Sequence, residues 1–218
     1  PDPLKQFSLW FNEAVSAGVH EPNAMHLATA TPDGIPSGRV VLLKGLEDGG
    51  FTFYTNHRSR KGTELEANPH CSLTFFWPEL ERQVRIEGIA SRVSDEIADA
   101  YYNSRPLASR IGAWTSPQSA VIASRQILED RFRDLEKKFA EKAPLRPYQW
   151  GGYAVKPVRI EFWQGRPGRL HDRLQYTFHE GSWQLNRLAP STEIVSGDSH
   201  RLPYPSATCA TSRLGSKI

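Results

Sequence analysis

Three groups that carry or can take positive charge recur at every second position in Gly165-Arg166-Pro167-Gly168-Arg169-Leu170-His171-Asp172-Arg173. They are Arg169, His171 and Arg173. On an extended strand alternate side chains share a face, so the three are predicted to point the same way. Like charges in a row repel unless an anion or an electron-rich ring lies against them. A solvated basic edge strand is the plain alternative. Here the row follows Ile160-Glu161-Phe162-Trp163, an apolar and aromatic run that reads as buried. A basic row leaving a buried strand is well placed to line a pocket, and its histidine can hold or pass a proton near neutral pH.

Other cations sit where local structure alone does not welcome them. Arg39-Val40-Val41-Leu42-Leu43-Lys44 is an apolar strand bracketed by two charges. Buried charge needs a partner, although strand ends that snorkel to water would also satisfy the pattern. Tyr54-Thr55 leads to Ser59-Arg60-Lys61-Gly62, where Ser59 reads as the N-cap of a short helix running to Asn68-Pro69. Arg60 and Lys61 then occupy the first turn, where the macrodipole disfavours cations. A phosphate at the helix start would remove that conflict, because amide N–H groups and both cations would converge on it. A tolerated surface pair is the alternative.

Tyr101 and Arg105 lie four apart in Tyr101-Tyr102-Asn103-Ser104-Arg105-Pro106 and share a helix face, with Ser109 just beyond. Arginine with hydroxyl donors suits a phosphate dianion, while an exposed helix end before Pro106 is the stronger reading of these residues alone. Gln83, Gln118-Ser119 and Trp163 are weaker signals, readable as a polar strand face, a loop and a core aromatic.

The elements that must position these groups follow from periodicity. Leu4, Phe7, Phe11, Ala14 and Val15 predict an amphipathic helix over 3–17. Strand patterns follow at 25–31 and 38–44, joined by Pro32-Asp33-Gly34, then at 51–55, 71–77 and 83–93. Helical patterns cover 94–104, 107–113 and 124–140, the last with Leu128, Phe132, Leu135 and Phe139 on one stripe. Strands return at 152–155, 158–163, 170–178 and 183–188. Many short strands between turn residues predict a mainly β fold with helices (α+β), an antiparallel barrel. Residues 191–218 are rich in Ser, Thr, Pro and Gly without sustained period. They are expected to be a disordered, dispensable extension of a domain spanning 1–190.

The 218 residues suit one substantial domain, and the net charge of +3 is small, with Lys and Arg scattered. That does not indicate nucleic-acid binding. No apolar run is long enough to span a membrane and no signal peptide is visible. Cys71 and Cys209 are not a disulfide framework, which fits a reducing, intracellular setting. No HExxH, CxxC, GxGxxG or Walker spacing appears, so neither a metal site nor a Rossmann or P-loop nucleotide site is expected.

Phe162-Trp163-Gln164-Gly165 followed by Arg169-Leu170-His171-Asp172-Arg173 resembles the signature of the pyridoxamine 5'-phosphate oxidase family. Further blocks match in order from Asp2-Pro3-Leu4 to Arg187-Leu188-Ala189-Pro190. The resemblance implies an FMN-binding split β-barrel, cytoplasmic, forming a homodimer with two active sites at the subunit interface. It implies oxidation of pyridoxamine or pyridoxine 5'-phosphate by dioxygen to pyridoxal 5'-phosphate and hydrogen peroxide, with ammonia released from the amine, in vitamin B6 metabolism. By resemblance, the strand Arg39, Val40, Val41, Leu42, Leu43, Lys44 lies beside FMN, with Arg39 on the cofactor phosphate. Tyr54, Thr55, Arg60, Lys61, Gln83, Gln118, Ser119 and Trp163 also bind FMN. Arg173 lies near the flavin and favours negative charge on its reduced form. Lys44, Tyr101, Arg105 and Ser109 take the substrate phosphate, and Arg169 and His171 are the catalytic pair over the substrate ring. Tyr102-Asn103 departs from the Phe-His common in relatives, at positions without an assigned contact.

The chain begins at Pro1 without Met, which reads as a processed, trimmed or fragmentary start. Relatives carry a basic segment upstream that helps cover the substrate. The alternatives are another split-barrel flavin oxidase of phenazine-biosynthesis type, a non-catalytic FMN- or haem-binding barrel, or a fragment that folds without activity.

Overall fold

The computed structural model describes residues 2–190; the expectation for 191–218 lies outside them. Helix α1 (Pro3–Ser16) starts at Asp2, whose carboxylate accepts from the amides of Leu4 and Lys5. Its apolar stripe delivers Phe7 into the core, where the ring packs against Phe51 at 4.9 Å and Phe75 at 5.0 Å. Strands β1 (Ala24–Ala30) and β2 (Pro36–Leu42) form a hairpin, followed by β3 (Gly45–Glu47), β4 (Gly50–Asn56) and helix α2 (Arg60–Ala67). Strands β5 (His70–Trp77) and β6 (Arg82–Arg92) precede helices α3 (Asp95–Ser104), α4 (Leu107–Thr115) and α5 (Arg125–Lys138). The long strand β7 (Trp150–Gln164) and the hairpin β8 (Asp172–His179) and β9 (Ser182–Arg187) complete the order.

All pairings are antiparallel, in the order β2-β1-β5-β6-β7-β4-β3 with β8 and β9 branching from β7. The sheet curls over a core in which Leu27, Leu73, Val84, Ile86, Val155 and Ile160 are fully buried. β7 explains the split. Its first half pairs β4 over 150–155, its second half pairs β8 over 159–164, and β6 runs along its other edge over 153–164. The expected separate strands 152–155 and 158–163 are therefore one. Pro157, which donates no hydrogen bond, falls where β4 has ended and β8 has not begun. Val158 is the extra residue of a bulge opposite Glu87 and Gly88. A Cβ on Gly88 would stand 2.4 Å from the Lys156 carbonyl oxygen, so only glycine allows this approach.

The expected strand at 170–178 begins instead at Asp172. Residues Pro167–Arg169 form a 3-10 turn with Arg169 at φ 58. The stripe of α5 is half-buried against α4 and no residue of that helix is fully buried. Among the described residues no helix is long and apolar enough to cross a membrane.

Candidate active site

A cavity of about 640 Å³ opens between β2, β4, α3 and α4. Besides the exposed Lys44, two cations that are at least half-buried face it without a carboxylate partner among the described residues. Lys61, only 8% exposed, sits in the first turn of α2. Its ammonium donates to Thr55 Oγ1 at 3.2 Å and Ser59 Oγ at 3.4 Å, and no carboxylate among the described residues lies within ion-pair reach. Burial first, and the nearby Arg39 second, lower its pKa. Ser59 caps α2 as expected, accepting from the Gly62 amide. The loop carrying Gln118 and Ser119 folds over the same helix start: Gln118 Oε1 accepts from Thr55 Oγ1 and the Asn56 amide, both at 3.2 Å, and Ser119 Oγ accepts from the Arg60 amide at 3.1 Å.

Arg105 is the second cation. Its guanidinium lies 4.7 Å over the Trp150 ring, and one terminal nitrogen is buried with no hydrogen-bond partner. Burial lowers its pKa. Tyr101, one turn earlier on α3, stacks on Tyr54 of β4 at 3.9 Å, and Tyr54 stacks on Trp150 at 5.5 Å. Ser109 and Lys44 complete this wall. A buried cation without a counter-ion is costly. Lys61 is buried and Arg105 half-buried, so a ligand carrying anionic groups would balance them in one cavity.

Arg39, Val40, Val41 and Leu42 line the cavity; Leu43, facing the core, does not. Arg39, which the resemblance puts on the cofactor phosphate, lines the cavity and is also hydrogen-bonded within the protein. Its guanidinium donates to Thr29 and Ser37 hydroxyls, both at 2.5 Å, and to Glu64 at 3.3 Å. Glu64 also accepts from Thr29, Ser37 and Arg60. Burial alone would raise its pKa; the hydrogen bonds outweigh burial and hold it down at about 2. Arg60 is largely exposed, and its conflict with the helix dipole is met by Glu64 at i+4. Glu64 and Trp150 were not legible as site residues. The i,i+4 spacing of Arg60 and Glu64 is a weak signal for the first, and only the aromatic stack reveals the second.

The remaining candidates lie elsewhere. Trp163 and His171 line a separate cavity of about 320 Å³ at the far end of β7, and Gln83 pairs Trp163 across β6. The His171 ring packs 4.7 Å from Trp163, and its Nδ1 accepts from the Arg166 amide at 3.1 Å. The row of three cations on one strand face is not formed. Arg169 belongs to the exposed 3-10 turn, His171 precedes β8, and Arg173 alone is on the strand. The positive φ of Arg169 breaks the alternation. Arg173 donates to the buried Glu161 at 2.8 Å, which raises its pKa. Glu161, on the neighbouring strand β7, supplies an anion to Arg173 alone of the three.

The model of the family described as pyridoxamine 5'-phosphate oxidase matches residues 11–139. The chain belongs to that family. The pyridoxine 5'-phosphate oxidase C-terminal dimerisation region matches residues 150–190, which span β7 to β9. The pyridoxine/pyridoxamine 5'-phosphate oxidase of Cupriavidus metallidurans is 56% identical over 191 residues, 87% of this chain and 90% of that protein. The protein of the same name from Rubrobacter xylanophilus is 57% identical over 190 residues, 87% of this chain and 88% of that protein. Among solved structures, PhzG of Burkholderia lata in complex with tetrahydrophenazine-1-carboxylic acid superposes with a TM-score of 0.83 at 32% identity, over 87% of this chain and 93% of that one. An FMN-binding, pyridoxamine 5'-phosphate oxidase-related protein of Nostoc punctiforme, 20% identical with a TM-score of 0.66, shares the fold over 82% of this chain and 95% of that one. Membership of this oxidoreductase family fits a half-barrel whose cavity is lined by uncompensated cations.

Proposed function

We propose that this chain is an FMN-dependent oxidase that converts pyridoxamine or pyridoxine 5'-phosphate to pyridoxal 5'-phosphate, acting as a homodimer. The observation that carries the reading is the cavity shared by the buried Lys61 and the half-buried Arg105, two cations without carboxylates. A substrate and a cofactor that each bear a phosphate would supply one anion to each.

The donor set fits FMN at the Lys61 end: an ammonium and the Thr55 hydroxyl at the positive end of the α2 dipole suit a phosphate dianion. Bound there, FMN supplies the two-electron redox chemistry, with dioxygen as final acceptor and hydrogen peroxide as its product. Arg105, Tyr101, Ser109 and Lys44 hold the substrate phosphate at the other end. Fixing both ends orients the substrate carbon to be oxidised. Trp163, Gln83 and Arg173 belong to the flavin-ring side, and Arg169 and His171 cover the substrate ring. Those five reach a Lys61–Arg105 cavity from a second subunit. The Arg166 amide donates to His171 Nδ1, so the neutral imidazole carries its proton on Nε2. Nε2 can then donate to the phenolic oxygen of the pyridine ring.

The PhzG likeness keeps a second reading in view, a flavin oxidase with a non-phosphorylated substrate. Lys44, Tyr101, Arg105 and Ser109 in one cavity argue against it. The deciding experiment follows the visible flavin spectrum of the FMN-loaded protein, without oxygen, on adding pyridoxine 5'-phosphate. Bleaching that recovers in air with aldehyde formed supports the oxidase; a flavin that stays oxidised rejects it.

A further inference from the structure

Arg146 lies outside the cavity and is 11% exposed in the segment leading into β7. Its guanidinium makes three bonds in three directions: to Asp99 at 2.6 Å, to Asp95 at 2.7 Å and to the Trp150 carbonyl at 2.8 Å. Burial disfavours its charge, but the two carboxylates outweigh that. Asp95 and Asp99 are one helical turn apart on α3, and Tyr102, three residues on, lies on the same face. The Tyr102 ring meets Trp150 edge-on at 5.3 Å and its hydroxyl donates to the Arg110 carbonyl on α4 at 2.9 Å. Trp150 is thus a common seat: Arg146 holds its backbone, and Tyr54, Tyr102 and Arg105 contact its indole.

Helix α3 has only ten residues, too few to keep its own orientation. It carries Tyr101 and Arg105 at its C-terminal end, and α4, tied on through Tyr102, carries Ser109. A rotation of α3 about its own axis would move the Arg105 guanidinium off Trp150 and part Tyr101 from Tyr54.

We propose that Arg146 is a positioning residue for the substrate phosphate. By bridging Asp95 and Asp99 to the Trp150 carbonyl it fixes α3 against β7, and so sets where Tyr101 and Arg105 present their donors. The inference rests on the reading of that wall as a phosphate clamp. Lysine cannot replace arginine here, since three bonds in fixed directions need the planar fork.

The test uses the FMN-loaded protein and the variants Arg146→Lys and Asp99→Asn, with Asp95→Asn as a milder change because Asp95 is 84% exposed. Inorganic phosphate is the probe, measured as a competitive inhibitor and by direct calorimetric titration. Arg146→Lys and Asp99→Asn are expected to raise the KM for pyridoxine 5'-phosphate and the phosphate dissociation constant together by about tenfold. The kcat stays within about twofold and FMN affinity is unchanged, because an interaction shared by ground and transition states acts on KM. The double variant is expected to lose no more than the worse single one. A merely structural role would lower the melting temperature and leave phosphate affinity alone. Unchanged phosphate affinity in a folded variant overturns the proposal, as does a parallel loss of FMN. If the wild type does not oxidise pyridoxine 5'-phosphate, the proposed function fails, while the calorimetric comparison still decides the role of Arg146.

Discussion

Trp150 and Trp163 stand at opposite ends of the 15-residue strand β7, one under the Arg105 guanidinium and the other beside His171. At about 3.3 Å per residue the strand puts roughly 40 Å of backbone between them. One protomer therefore does not bring the two halves of the expected site together; the two-fold partner of the proposed homodimer would have to supply the other half. Arg105→Ala and Arg169→Ala homodimers are each expected to lose turnover, with Arg169→Ala retaining FMN. Refolding the two variants as an equal mixture restores about a quarter of wild-type activity, because half of the dimers carry one intact site. No recovery in mixed dimers would show that both residues serve one chain's site.

Lys61→Ala removes the buried ammonium and leaves the α2 amides. A lost charge-assisted hydrogen bond of about 1.5–3 kcal/mol corresponds to roughly ten- to a hundredfold weaker FMN binding. Quenching of flavin fluorescence on titration reads this directly. An unchanged dissociation constant would remove Lys61 from the cofactor phosphate site.

Glu64 binds Thr29, Ser37, Arg39 and Arg60 from one buried carboxylate. Its folded-state pKa of about 2 lies below the ordinary value of 4.5, so its stabilisation is complete above about 4.5 and is lost as pH falls toward about 2. Glu64→Gln leaves Arg39 without its counter-ion and is expected to cost about 3 kcal/mol in urea unfolding at neutral pH. The same variant should flatten the acid limb in that window.

His57 gives a second, separate acid window. Burial, then Arg92, holds its pKa at about 4, against 6.5 when unfolded. The unfolded chain thus binds more protons between the two values, and stability falls as pH drops from about 6.5 to about 4. Its buried Nδ1 has no partner. In His57→Gln the melting temperature should vary less over that range. An unchanged slope would mean that another group drives it.

Gly88→Ala is expected to destabilise by about 1–3 kcal/mol, since the added methyl meets backbone rather than a movable side chain. Thermal unfolding measures it, and a wild-type melting temperature would mean that the bulge at Val158 relaxes freely.

Much of this protein is written locally. Phe7 and Phe11 at helical spacing, the Ser59 cap and the alternation of Val84 and Ile86 each specify an element from a few neighbouring side chains, and α1, α2 and β6 form where those patterns lie. The block of Trp163, His171 and Arg173 carries the family. The patterns failed where a distant partner decides. Pro157 reads as a strand break, yet β7 runs through it because β6 holds the other edge across the bulge. Arg169 reads as a strand residue until the turn at Gly168 takes it to positive φ.

By itself the sequence determined which residues are candidates for the chemistry and which short elements hold them, because caps, periods and charge spacing act over a few residues. Only the tertiary structure decided which cations keep a partner. Arg39 and Arg173 found buried carboxylates on other elements, whereas Lys61 and Arg105 did not. The tertiary structure also put Trp163 and His171 at the far end of β7 from Arg105. The reason is physical: ion pairing and site assembly depend on distances across a curled sheet, and strand order and register set those distances.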